Sequence, residues 1–178
     1  MPFLSNEEKL KFLTERGILM RLSCVRSDCS PLVTPVWFIY KEKAIYFTPR
    51  AESEWFRCLK ADPRVALCID EENLPYRKII VEGKATMVHD LGADETWRDL
   101  YTEMAERYIN PEFAREYVEN TIDQERALFN VPLSDENTKS WRMPLKGEDE
   151  TGIWHQRYYA KGTKFSVQRF DGAWLWTD

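Results

Sequence analysis

Apolar and polar positions along this chain alternate in short runs up to about residue 90 and then change period. Ser5-Asn6-Glu7-Glu8 has the form of a capping box, and Leu10, Phe12 and Leu13 give the helix that follows an apolar side before Gly17 stops it. Ile18 to Val25 has the length and content of a strand; Ser27 to Pro31 turns it, and Leu32 to Tyr40 returns as a second strand. Lys41-Glu42-Lys43 is a polar hairpin loop into a third, Ala44 to Phe47. Thr48-Pro49-Arg50-Ala51-Glu52 makes a tight connection, Ser53 opens a brief helix that Asp62-Pro63 closes, and Arg64 to Ile69 starts another strand. Asp70 to Asn73 reads as a solvated loop, followed by a strand from Ile79 to Val88 in which Gly83 marks a bulge or a close approach of backbone.

From Asp94 the spacing becomes three and four. Trp97, Leu100, Tyr101, Met104 and Tyr108 define an amphipathic helix of about four turns, read as a core stripe. Asn110-Pro111 ends it, and Phe113, Tyr117 and Val118 suggest a shorter successor. Ala127 to Val131 and Thr138 to Met143 form an expected closing hairpin around Pro132 to Asn137. The tail from Pro144 carries Trp154, Tyr158, Tyr159, Trp174 and Trp176, a composition suited to packing on its own barrel or on a second subunit. Six or seven strands in meander order, with helices inserted late, predict a mainly β antiparallel barrel with flanking helices. The expected organisation is one domain over residues 1–178, with a helical insertion at about 94–122 and the aromatic tail at about 144–178. No Gly-rich loop follows the first strand, which excludes a doubly wound nucleotide fold.

Composition narrows the function classes. The formal net charge of -5 argues against a nucleic-acid surface, although it leaves room for a local basic pocket. Met1 to Ser5 lacks the order of a signal peptide, and no apolar run approaches the ~20 residues of a membrane span, so the cytoplasm is the expected location. Cys24, Cys29, Cys58 and Cys68 read as free thiols; Cys24 and Cys29 flank a turn, which leaves a redox pair as the lesser alternative. His89 and His155 stand far apart with no metal-ligand spacing. No Ser-His-Asp or Cys-His set is legible, so hydrolase and acyl-transfer chemistry have no support.

What remains is the stretch from Thr34 to Asp70. A strand that delivers hydroxyl and Arg side chains to a helix N-terminus is an anion cradle in outline, because the first N–H groups of a helix point outward and its dipole favours negative charge. Thr48 and Ser53 are also ordinary turn and N-cap residues. The order Thr34-Pro35-Val36-Trp37-Phe38, Tyr46-Phe47-Thr48, Ser53, Leu59, Asp62-Pro63-Arg64-Val65-Ala66-Leu67, extended by Pro75-Tyr76-Arg77-Lys78 and Val81-Glu82-Gly83, resembles the pyridoxamine 5′-phosphate oxidase-like family.

The resemblance implies an FMN-binding split barrel that works as a homodimer with cofactor sites at the subunit interface. It implies FMN, or alternatively the deazaflavin coenzyme, haem or no cofactor, and a small-molecule substrate. Pro35, Val36 and Trp37 would line the isoalloxazine ring; Thr48 and Ser53 would reach the phosphate, with Pro49 and Arg50 in the same loop. Lys78 would lie against the ring or ribityl chain, and Trp141 and Arg142 are candidates for contacting the ring from the partner subunit. Where family members carry two basic residues after the serine, this chain has Glu54 and Trp55; Arg50 or Arg57 would have to substitute. The family's C-terminal substrate-phosphate signature is not recognisable, so vitamin B6 itself is not the expected substrate.

Overall fold

The structure is a computed structural model and describes residues 2–148. The aromatic tail expected to pack on a barrel or partner lies, beyond Glu148, outside the described residues. Helix α1 (Asn6–Thr14) begins on the expected capping box: the Ser5 hydroxyl accepts from the Glu8 N–H at 3.1 Å and the Glu8 carboxylate accepts from the Ser5 N–H at 2.7 Å. Phe12 and Leu13 are buried, whereas Leu10 faces solvent.

Strands β1 (Met20–Val25) and β2 (Pro31–Val36) form an antiparallel hairpin. The single strand expected from Leu32 to Tyr40 is broken at Trp37-Phe38, and β3 (Ile39–Lys41) belongs to another sheet, paired with β4 (Ala44–Phe47). The break has a local cause. The Phe38 N–H donates to the Tyr108 hydroxyl at 3.1 Å, and its carbonyl accepts from Arg107 Nη1 at 2.8 Å. Both backbone groups are thus taken by side chains and lost to the ladder.

Helix α2 (Glu54–Ala61) leads to β5 (Arg64–Asp70), which pairs with β1 and with β6 (Lys78–Lys84). The strand expected from Ile79 to Val88 also divides. Ala85 donates its N–H to the Pro63 carbonyl at 2.8 Å, and β7 (Thr86–His89) passes to the second sheet. A Cβ at Gly83 would make only ordinary contacts with Val131 and Asn137, so no close approach requires the glycine; the irregularity lies instead between Met87 and His89. A 3-10 turn (Asp94–Trp97), α3 (Arg98–Glu106) and α4 (Pro111–Asn120) form the inserted helical segment. Asn110 caps α4 by accepting from the Phe113 N–H at 3.0 Å.

Strands β8 (Leu128–Pro132) and β9 (Thr138–Trp141) do not form the expected closing hairpin. β8 lies between β4 and β7, while β9 pairs with β6. Leu133 donates its N–H to the Lys43 carbonyl at 2.8 Å, and the Ser134 to Asn137 turn then carries the chain across. The described residues therefore hold nine strands rather than six or seven. They form two antiparallel sheets, ordered β2-β1-β5-β6-β9 and β3-β4-β8-β7, not a closed barrel.

The two sheets share one core. Met20, Leu22, Leu67, Ile69, Ile79 and Val81 from the first sheet meet Ile45, Phe47, Phe129 and Val131 from the second. The other face of the four-stranded sheet, through Ile39 and Leu128, is covered by Trp97, Tyr101, Met104, Ala114 and Val118 of the helical segment. This is why Ala127-Leu128-Phe129 reads as an apolar run rather than an alternation: Phe129 faces one core and Leu128 the other.

Candidate functional site: a basic cleft between the second strand and the helical segment

A cleft of about 240 Å³ opens where the end of β2 faces α3 and α4. One wall is Thr34, Pro35, Val36 and Trp37; the α2 end supplies Thr48, Ser53 and Trp55. The opposite wall is Tyr101, Met104 and Tyr117, and Arg50 and Arg126 complete the lining. None of these residues is acidic, in a chain whose net charge is -5.

Trp37 is held from both sides. It stacks on Tyr108 with centroids 5.0 Å apart and planes 3° from parallel, and meets Tyr117 edge-on at 5.5 Å. Ser53 occupies the N-cap position of α2, but its hydroxyl does not cap the helix; it donates to the Arg50 carbonyl at 2.7 Å. The first-turn N–H groups of α2 therefore have no side-chain acceptor from the cap residue, the arrangement an anion at a helix N-terminus requires. Trp55 leans on Phe47 with centroids 6.1 Å apart.

Glu54 does not enter the cleft. Its carboxylate binds Arg26 Nε at 2.6 Å, and that hydrogen bond holds its pKa below the usual carboxylate range. Arg57 is exposed, donates to the Glu52 carbonyl at 3.3 Å and stands outside the lining.

Arg126 was not singled out by the sequence. It lies far along the chain, across the helical segment from Arg50, yet an isolated antiparallel bridge sets the two residues opposite each other. Flanking bonds from Ala127 N–H to the Pro49 carbonyl (3.1 Å) and from Ala51 N–H to the Glu125 carbonyl (2.9 Å) extend the β4–β8 ladder around them. Arg126 is only 6% exposed, and its guanidinium lies over the Tyr101 ring at 4.6 Å. Arg50 Nη2 donates to the Tyr117 hydroxyl at 3.0 Å. Burial opposes ionisation of Tyr117, but the Tyr101 hydroxyl and the two guanidiniums outweigh it and lower its pKa. Burial raises that of Tyr101. The Trp97 to Tyr108 stripe is thus core along part of its length and cleft lining at Tyr101 and Met104.

The profile of the family described as pyridoxamine 5′-phosphate oxidase matches residues 6–132. The chain belongs to this family. No curated relative matches it significantly. Among solved structures, it is similar to a conserved hypothetical protein of Mycobacterium tuberculosis at 22% identity and TM-score 0.64, covering 78% of this chain and 85% of that one. It is also similar to an FAD-binding protein of Mesorhizobium loti (22%, TM-score 0.53, covering 78% and 93%) and to the haem storage protein HutZ of Vibrio cholerae (20%, TM-score 0.57, covering 75% and 94%). At these identities the likeness is one of fold.

Of the residues that the family resemblance nominates, Pro35, Val36, Trp37, Thr48, Arg50, Ser53 and Trp55 come together in the cleft. Pro49 is buried behind it, its carbonyl held by Ala127. Lys78, Trp141 and Arg142 do not line it; Lys78 and Trp141 face each other across β6 and β9. Arg142 is 8% exposed and occupied, with Nε on Glu8 at 2.9 Å and Nη1 and Nη2 on Glu148 at 2.7 and 2.9 Å. Its charge is neutralised within the protomer. Cys24, Cys29, Cys58 and Cys68 are all free thiols, as the sequence suggests; Cys29 is exposed, whereas burial and the adjacent Cys58 push the Cys24 thiol up to about 12. Among the described residues no helix is long and apolar enough to cross a membrane.

Proposed function

We propose that this protein is a flavin-binding member of its family, an FMN-dependent oxidoreductase acting on a small molecule, and a cytoplasmic homodimer whose partner completes the cleft. The observation that carries the reading is the cleft lining: two arginines, the Thr48 and Ser53 hydroxyls and an open helix N-terminus, with no carboxylate. An FMN phosphate carries about −1.5 to −2 charges at neutral pH, and this lining suits it. Thr48, Ser53 and the first N–H groups of α2 would hold the phosphate, with Arg50 beside them. Pro35, Val36 and Trp37 would lie along the ring, and the Tyr108 and Tyr117 contacts fix Trp37 in place. The Arg26–Glu54 pair removes the negative charge that Glu54 would otherwise bring to the phosphate.

A complete ligand site usually spans about 300–1,000 Å³. The 240 Å³ of one protomer accommodates part of a flavin, which supports a second copy as the other half of the site. When bound, FMN supplies the redox chemistry, and the protein's part is to bind, orient and shield the ring.

A second reading is a non-catalytic binding protein for a flavin, the deazaflavin coenzyme or haem. A haem storage protein shares the fold, and the replacement of the basic pair by Glu54 and Trp55 favours an apo dimer of the same fold as a third. A visible absorbance spectrum, before and after loading with FMN and removal of the unbound part, separates the two. Retained flavin bands that bleach and recover with a reduced nicotinamide support the oxidoreductase. Retained bands inert to every donor favour the binding protein, a Soret band favours haem, and no retention of FMN overturns the proposal.

A further inference from the structure

The helical segment connects β7 and β8, which are neighbours in the four-stranded sheet, so its two ends meet at a neck. Asp94 opens the segment, and Arg126 ends the return just before β8. The Arg126 N–H donates to Asp94 Oδ2 at 3.0 Å. Their opposite charges are not in direct contact: Asp94 Oδ1 and Arg126 Nη2 are both buried and, among the described residues, without a hydrogen-bond partner. Trp97 Nε1, from the 3-10 turn that Asp94 begins, is a third such atom. A buried cation and a buried carboxylate oxygen in this state are costly unless something joins them.

Asp94, Trp97, Arg126 and Thr121 line one cavity of about 20 Å³. One water requires roughly 10–15 Å³ and about two to four polar partners. Donors and acceptors balance around it. The indole and guanidinium N–H groups donate to its two lone pairs, and one of its hydrogens goes to Asp94 Oδ1. Thr121 Oγ1 donates its own hydrogen to the Tyr117 carbonyl at 2.9 Å and so offers a lone pair to the other. A cation in the same place would face two N–H donors, and an anion would face the Asp94 carboxylate.

We propose that this cavity is the site of one structural water, which makes Asp94 the counter-ion of Arg126 at one remove and clasps the neck of the helical segment. Asp94 and Trp97 are then positioning residues. The water holds one edge of the guanidinium while the Tyr101 ring lies against its face at 4.6 Å. The bonds from Ala127 N–H to the Pro49 carbonyl and from Ala51 N–H to the Glu125 carbonyl anchor the same residue to the end of β4. Tyr101, Met104 and Tyr117, the helical wall of the cleft, lie between the clasped ends. The clasp sets how firmly that wall is held, whatever molecule the cleft takes, so it does not depend on the flavin reading.

A crystal structure of the full chain, at a resolution that shows ordered water, is the first test. One density peak within hydrogen-bond distance of Trp97 Nε1, Arg126 Nη2 and Asp94 Oδ1 is expected. A dry cavity, a different ion in it, or direct contact between the Asp94 and Arg126 side chains overturns the site. In solution the test is a double-mutant cycle of Asp94→Asn and Arg126→Met, read by urea unfolding. Asn keeps the shape and still accepts the Arg126 N–H, but it turns an amide N–H toward a water that already accepts two. Asp94→Asn alone should lower the folding equilibrium constant about tenfold or more. In the Arg126→Met background, where one lone pair of the water is freed, the cost should shrink to about threefold or less. Equal costs in the two backgrounds overturn the clasp. Amide exchange in Asp94→Asn should quicken in α3 and α4 while β1 and β5 keep their protection; an even loss over both sheets also overturns it. If Arg126→Met does not fold, Trp97→Phe, which removes the other donor, takes its place in the cycle.

Discussion

Replacing Arg107 with Met should destabilise the protein severely and loosen Trp37. Arg107 is 9% exposed and lies just past α3. It donates to the carbonyls of Phe38 and Leu13 at 2.8 Å and of Glu15 at 2.9 Å, and lies over the Phe38 ring at 4.3 Å. One side chain thus ties the end of α1, the break between β2 and β3 and the helical segment together. Hydrogen bonds from a charged donor contribute about 1.5–3 kcal/mol each, which gives a gross loss of about 4.5–9 kcal/mol for three. Against this, Met removes a buried charge: burial lowers the Arg107 pKa, and its Nε is unpaired. The net expected loss is about 3–5 kcal/mol, or about 6–20 °C in Tm for a chain of this size. Urea unfolding with an unchanged slope measures it. Arg107→Lys, which keeps the charge but not the fork, should lose roughly half as much. A loss below about 1 kcal/mol in the Met variant would show that the three carbonyls find other donors, and the argument for the strand break would fall with it.

Two further expectations concern charge. Because Arg26 already neutralises Glu54, Glu54→Gln should change FMN affinity by less than about twofold, whereas Arg26→Ala should weaken it by severalfold, as read by flavin fluorescence quenching. Equal effects would mean that the pair does not shield the cleft. The Arg142 hydrogen bond, with help from the Leu145 N–H, holds Glu148 at a folded pKa of about 2. A carboxylate with a depressed folded pKa contributes stability above its unfolded pKa, and the contribution is lost as pH falls through the folded value. Thermal stability should therefore decline as pH drops from the ordinary carboxylate range toward about 2. Glu148→Gln should flatten that decline, and an identical acid profile would remove the pair from the explanation.

Much of the fold was legible because its signals are local. The capping box at Ser5, the apolar strands at Ala44 to Phe47 and Arg64 to Ile69, and the Asn110-Pro111 start of α4 each depend on neighbours in sequence. The misreadings share one physical form. At Trp37-Phe38 and at Ala85 the apolar pattern continues while the hydrogen bonds change partner, to Tyr108 and Arg107 in one case and to Pro63 in the other. Side-chain periodicity does not record where a backbone N–H goes, so two strands have the pattern of one at both places. The paired sequence Ala127 to Met143 failed for the same reason, since each half finds a different sheet. In the cleft, Thr34 to Trp37 and Thr48 to Ser53 were legible as a motif. Arg126 was not, because its position depends on β4 and β8 pairing across the whole helical segment; a charged residue directly before the apolar run at Ala127 was the one available hint.

The bridge between Arg50 and Arg126 also has a kinetic consequence. Contacts between residues far apart in sequence form late, after shorter loops have closed. A chain emerging in order from its N-terminus completes the motif around Thr48 and Ser53 long before β8 exists to bring Arg126 alongside. The cleft is consequently a late product of folding, and a ligand that needs both arginines would select chains in which both sheets and the inserted helices are already assembled. Ligand binding at that position would act as a check on completed folding, slowing global unfolding more than it speeds the early steps.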